Sequence, residues 1–374
     1  MSKKQSFITS PVILSVWSFR PMTWFVPLFA AILLWTGCGM AADLFLDPAP
    51  EGTFSLIVIP DTQGYGGANT KAQPNSTDEI TNAALDTQTR WIAENLKSQR
   101  IVFVSHVGDI VDKNVTGQWA VARRCMDRLH GLVPYGIAPG NHDMSDDGNT
   151  ALFQSQFGAT RFTDQPWYAG TFSGKGNPSI SGNNANSCQL FSAGGLDFVI
   201  LHLECNAPDD VLQWAGTMLN KYASRRAIIT THMDLGPLDE PKTKAGFITG
   251  PRGRMRWSKR HGTLGNSPQQ LWDKFYRKLP NLLMIISGDQ SRPEAMYLVS
   301  QNDAGKPVHE LMSDYGSKYW LRVYRFVPDR NRIQVFTIDG RDGRRCTGTK
   351  NNPDPKTHEF ELECNLGATS QTVP

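Results

Sequence analysis

The sequence predicts a layered α/β sandwich, and three observations carry that prediction. Five short apolar runs each end in a polar group. Helical periodicities separate the earlier runs, and the pattern from Glu294 onward is β throughout. The first run, residues 54–60, leads into Asp61-Thr62-Gln63. The second, 101–104, leads into Gly108-Asp109-Ile110-Val111-Asp112, and the third, 135–138, into Gly140-Asn141-His142-Asp143. Residues 227–231 end at His232, and residues 282–286 lead into Gly288-Asp289-Gln290-Ser291. Apolar runs that end in a Gly-acid turn read as buried strands delivering side chains to the carboxyl edge of a sheet. Those ends bring carboxylates, an amide and imidazoles together, and hard oxygen donors with an imidazole suit divalent cations.

Taken in order, the chain opens with Lys3, Lys4 and Arg20 before a twelve-residue apolar stretch from Trp24 to Trp35, then small residues at 37–42. That layout describes an export signal over residues 1–41, with Gly39-Met40-Ala41 as a cleavage site. Gly37-Cys38 adds a lipoprotein signal or an uncleaved anchor as alternatives, so any membrane attachment is expected there alone. Residues 42–53 read as a linker. Leu85, Ile92 and Leu96 mark a helix, and Trp119, Ala122, Met126 and Leu129 mark a second. Residues 144–187 read as an insertion rich in Gly, Asn and Ser with Phe153, Phe157, Phe162, Trp167, Tyr168 and Phe172. It is either a flap with its own aromatic cluster or a lid over the site.

Strand 198–203 contains His202, read as a satisfied strand histidine, as is His106 in the second run. Asp209 is the expected cap of a helix striped by Val211, Trp214, Ala215, Met218, Leu219 and Tyr222. Ser267-Pro268 opens another, with Leu271, Trp272, Phe275 and Leu279 inward. Strands follow at 296–299, 321–327 and 332–338, and a last one near 359–363 in a C-terminal extension, 341–374, packed on the same domain.

The order of strand-end motifs resembles the calcineurin-like metallophosphoesterases over roughly residues 54–340. Asp61, Asp109, Asp112, Asn141, His142, Asp143 and His232 match that pattern. The resemblance implies two mixed β-sheets face to face with helices outside, and a pair of divalent ions bridged by Asp109. It implies Asn141 and His232 on one ion, Asp61 and Gln63 on the other, and His142 as the acid for the leaving group, oriented by Asp112 or Asp143. Two departures stand out. Gln63 replaces the histidine of the first motif, and Gly288-Asp289-Gln290-Ser291 replaces the closing Gly-His-x-His. Asp289 serves as an oxygen ligand in place of one imidazole, while Ser291 is a poor substitute for the other. Fewer imidazoles shift preference from zinc or iron toward manganese, magnesium or calcium, with one or two ions bound.

The net charge of +3 belongs to the N-terminal segment. Residues 1–41 hold three basic and no acidic side chains, and the remainder balances 35 basic against 35 acidic. No whole-protein attraction to nucleic acid follows. The basic residues Lys242, Lys244, Arg252, Arg254, Arg256, Lys259 and Arg260 nevertheless cluster around Trp257 after the His232 strand. Arg254 and Arg256 are the expected forks on phosphate oxygens, against a bland reading as a solvated loop. Cys346 and Cys364 bracket a Pro/Asn-rich loop and are candidates for a disulfide, while Cys125 reads as a small buried hydrophobe. Two functions fit these residues. One is an exported metal-dependent hydrolase of a small phosphomonoester or phosphodiester. The other is a binding protein of the same fold whose altered ligands no longer support hydrolysis.

Overall fold

Residues 54–59 are apolar apart from Ser55, without alternation, because their strand is covered on both faces. The computed structural model describes residues 44–238 and 251–366, and there this stretch is β1 (Phe54–Ile59). The signal reading of residues 1–41, together with Lys242 and Lys244, lies outside the described residues. Beside β1 run β2 (Ile101–His106) and β3 (Tyr135–Ile137), both parallel to it. On its other side follow the antiparallel strands β13 (Trp320–Val327), β14 (Arg332–Asp339) and β15 (Glu359–Glu363). The order in this first sheet is β15-β14-β13-β1-β2-β3.

The second sheet contains β4 (Tyr168–Thr171), β5 (Ser187–Ala193), β6 (Leu196–Leu203), β7 (Arg226–Thr231), β10 (Leu282–Ser287), β11 (Ala295–Gln301) and β12 (Pro307–Ser313). Its order is β11-β12-β10-β7-β6-β5-β4. The four central strands β12, β10, β7 and β6 are parallel, and the outer ones are antiparallel. A two-stranded ribbon joins β8 (Leu235–Pro237) to β9 (Arg252–Arg254).

Alternate residues of β1 explain the layering. Phe54, Leu56 and Val58 enter the core between the sheets with Phe198, Ile200, Ile228, Met284, Ile286 and Phe326. Ile57 and Ile59 face outward to the core under α1 (Ala83–Glu94) and α2 (Thr116–Asp127). On the far side of the second sheet, Val199, Leu201 and Leu203 pack with α4 (Asp209–Lys221) and α5 (Pro268–Lys274). The architecture is therefore two mixed sheets between helical layers, as expected. Phe198 is central: its ring stacks on Phe191 at 4.7 Å and meets Phe326 edge-on at 5.4 Å. Phe198→Ala is expected to cost about 3–5 kcal/mol of stability. Urea unfolding followed by tryptophan fluorescence measures it, and a loss below about 1 kcal/mol contradicts this account of the core.

Several local expectations change. The cap of α4 is Pro208 with no side-chain bond, and Asp209 instead pairs with Lys274 Nζ at 2.8 Å. Ser267 does cap α5, reciprocally with Gln270. Within residues 144–187, α3 (Ala151–Phe157) and the following turn put Phe153, Phe157 and Phe162 against Trp119 and Tyr135. These aromatics thus join the core under α2 instead of forming a cluster of their own. In the linker segment, Ala49 N–H bonds Ser98 O and Leu46 N–H bonds Gly343 O. Cys346 and Cys364 are free thiols. Cys346 N–H bonds Thr337 O and Cys364 N–H bonds Asn331 O, at opposite ends of β14. Six residues of strand separate those anchors by about 20 Å, far beyond disulfide reach. Among the described residues no helix is long and apolar enough to cross a membrane.

Candidate functional site

Parallel strands of both sheets end along one edge, and their C-terminal residues form one cluster. Asp61 follows β1, Asp109 follows β2 and Asn141 follows β3. His232 comes directly after β7, and Asp289 follows β10. Asp61, Asp109 and His232 each offer a ligand atom within 4.8 Å of the others, and all three are buried. The turns are shaped by glycine. A Cβ on Gly140 would lie 2.2 Å from both Asp109 N and Asp109 Oδ1. One on Gly288 would lie 2.2 Å from Asp61 Oδ1. Asp109 and Asp289 themselves adopt left-handed backbone, φ 49° and 69°, a strained conformation that often marks functional positions.

His232 organises the centre. Its Nδ1–H donates to Val107 O at 2.9 Å, which turns Nε2 to the site. Burial disfavours the charged ring, but the Asp109 carboxylate, with Asp289 and Asp61, outweighs it and raises the imidazole well above its usual range. Nε2 faces Asp109 Oδ1 at 3.2 Å, Asn141 Oδ1 at 3.2 Å and Asp289 Oδ1 at 3.4 Å. Three oxygens converging on one imidazole nitrogen call for a cation between them, which a proton on Nε2 supplies and a metal ion can replace. The donor set therefore fits a divalent ion.

The electrostatics agree. Burial, then the nearby Asp314 carboxylate, pushes Asp61 well above the usual carboxylate range. Burial also raises Asp314, to about 7, with Asp289 and Asp109 adding to the rise against a backbone bond from Gly316. Burial opposes ionisation of Asp109 as well, but His232 outweighs it and holds that carboxyl low. Crowded buried carboxylates of this kind are what a divalent cation relieves.

The expected site residues divide into those that meet this cluster and those that do not. Gln63 turns its amide nitrogen to Asp109 Oδ2 at 2.8 Å, donating to the carboxylate instead of offering an oxygen to a metal. Gln290 Nε2 caps Asp289 Oδ2 in the same manner at 2.5 Å. Ser291 is exposed. His142 N–H donates to Asp109 Oδ1 at 2.8 Å, and its Nδ1–H donates at 2.6 Å to the backbone carbonyl of Asp112. The Asp112 carboxylate stands back at 4.0 Å. Asp143 does not orient His142 at all. Its buried carboxylate accepts the backbone N–H groups of Gly140, Ile110 and Val111, tying the two motif turns together.

Arg254 is likewise no fork on the site. Its Nε pairs with buried Glu310 at 2.8 Å, and its guanidinium lies 4.0 Å over the Trp272 ring. Arg256 is exposed. The basic stretch instead reaches the centre through Lys259, which donates to Asn141 Oδ1 at 2.9 Å and to Asp289 Oδ1. Arg260 donates to Asn141 O and pairs with Asp146. Asp314 is the acid that the sequence reading missed. It follows β12 as the others follow their strands. His106 and His202 are structural: His106 meets Thr62 Oγ1 at 3.1 Å, and His202 bridges Ser105 and Gln189.

Residues 54–293 match the family model described as Metallophos, Calcineurin-like phosphoesterase. The uncharacterized protein YvnB of Bacillus subtilis (strain 168) is 26% identical over 302 residues, which are 78% of this chain and 20% of YvnB. The chain thus spans about a fifth of that relative's length. Among solved structures, the Haemophilus influenzae NAD nucleotidase is 14% identical with a TM-score of 0.41, over 74% of this chain and 48% of that one. GAP50, titled the anchor in the inner membrane complex of Plasmodium, is 12% identical with a TM-score of 0.40, over 80% of this chain and 89% of its own.

Proposed function

We propose that this chain, which belongs to the calcineurin-like phosphoesterase family, is an exported hydrolase of small phosphomonoesters or phosphodiesters. The observation that carries the reading is Nε2 of His232 facing three oxygen ligands from three other strand ends. Asp109, Asn141, His232 and Asp289 would hold a divalent ion, with Asp61 and Asp314 beside them. Bound there, such an ion polarises the phosphoryl group and makes water a competent nucleophile at neutral pH.

The rest is done by the chain itself. His142 has Nδ1–H committed to Asp112 O, so its proton exchange is confined to Nε2. That nitrogen delivers a proton to the departing alkoxide. Gln63 and the His142 backbone N–H hold both oxygens of Asp109 in one orientation. Oxygen-rich ligation with a single imidazole favours manganese, magnesium or calcium over zinc or iron. Export rests on the basic and apolar pattern of residues 1–41.

Turnover of bis- and mono-p-nitrophenyl phosphate by metal-stripped protein, with each metal restored singly, tests the proposal. Hydrolysis that returns with manganese, magnesium or calcium is the expected result. Tight metal binding with no turnover would instead favour the non-hydrolytic reading, which the loss of both closing imidazoles supports.

A further inference from the structure

Lys259 stands among the ligand atoms themselves. The backbone beneath it is fixed by Asn206, whose buried Oδ1 accepts the N–H of Lys259 at 2.8 Å and of Arg260 at 3.2 Å. The side chain then passes the Trp257 ring at 5.1 Å, and Nζ donates to Asn141 Oδ1 and Asp289 Oδ1. Both of those oxygens also face His232 Nε2. An ammonium has three N–H donors, and these two bonds use two of them. That leaves the third for a ligand, on a side chain that is 19% open to solvent.

Asp289 occupies a place where the family resemblance expects a neutral imidazole, so it adds a negative charge beside the position an anionic ester must take. An ammonium bonded to that same carboxylate offsets the charge.

We propose that Lys259 is a phosphate-binding residue of the centre. The Asp289–Lys259 pair takes the place of a neutral imidazole ligand, and the third N–H of the ammonium binds a phosphoryl oxygen. The inference rests on the phosphoesterase reading above and adds a substrate contact to it. It carries a signature that a purely structural lysine lacks, because the ammonium opposes metal binding while it favours phosphate binding.

Calorimetric titration of manganese, and then of orthophosphate onto the manganese-loaded protein, reads both effects. Lys259→Met is expected to bind manganese at least about threefold more tightly, because a competing cation is gone. The same variant is expected to bind orthophosphate at least about tenfold more weakly, having lost a charge-assisted hydrogen bond. Affinities that fall together, or do not move, overturn the proposal. Lys259→Arg keeps the charge and is expected to hold orthophosphate within about threefold of the unaltered protein. A tenfold loss in Lys259→Arg overturns the proposal, and this arm decides the question if Lys259→Met does not fold. If the unaltered protein takes up no manganese, the metal reading falls by itself. Lys259 is then judged on orthophosphate binding by the metal-free protein, where a tenfold loss in Lys259→Met supports it and an unchanged affinity overturns it.

Discussion

Asp109→Asn lowers phosphodiester turnover by about 10³-fold or more, since several kcal/mol of charge stabilisation depend on a held cation and each 1.36 kcal/mol is a factor of ten. The expected loss has two sources. The substitution removes a negative charge 3.2 Å from His232 Nε2. It also sets donor against donor. Asp109 Oδ1 accepts from His142 N–H and Oδ2 from the Gln63 amide, so an asparagine NH₂ meets an N–H unless the Gln63 amide turns over to accept from it. One unsatisfied contact of that kind costs about 1–3 kcal/mol, which leaves the double sheet folded by circular dichroism. Turnover within tenfold of the unaltered protein would contradict the role given to this carboxylate.

His142→Ala is the second large effect, and its character differs. The imidazole is held by Asp112 O at 2.6 Å and is only partly buried, so it is placed to give a proton from Nε2. Removing it is expected to cut kcat by about 10²–10⁴ on esters whose leaving group departs as a basic alkoxide. On p-nitrophenyl esters the leaving group departs as a stable anion, and the loss is expected to shrink to about tenfold or less. Manganese affinity is expected to stay within about twofold, because the imidazole contributes no ligand atom to the cluster around His232. Equal losses on both ester types would remove His142 from proton transfer.

The sequence made most of the centre visible for one physical reason. Strands covered on both faces lack polar alternation, so β1, β2, β7 and β10 stand out as largely apolar runs, and so do the acids and histidine at their ends. Where that signature failed, so did the reading. β12 carries His309 and Glu310 in its middle, and both are buried. Glu310 is tolerated there because Arg254 neutralises it. That single pair hid the strand, concealed Asp314 at its end, and made Arg254 look available for substrate. The support of His142 is a backbone carbonyl, which residue identity cannot reveal. The position of Lys259 depends on Asn206, more than fifty residues earlier in the chain. The disulfide expectation failed because loop length says nothing about which end of β14 each cysteine reaches.

The most direct test of the centre is a manganese titration of the metal-stripped protein beside Asp109→Asn, read by calorimetry and by metal content after dialysis. The account predicts at least one tightly held ion per chain in the unaltered protein and loss of that ion in the variant. Equal metal content in the two proteins, or none in either, would contradict a metal centre built at these strand ends.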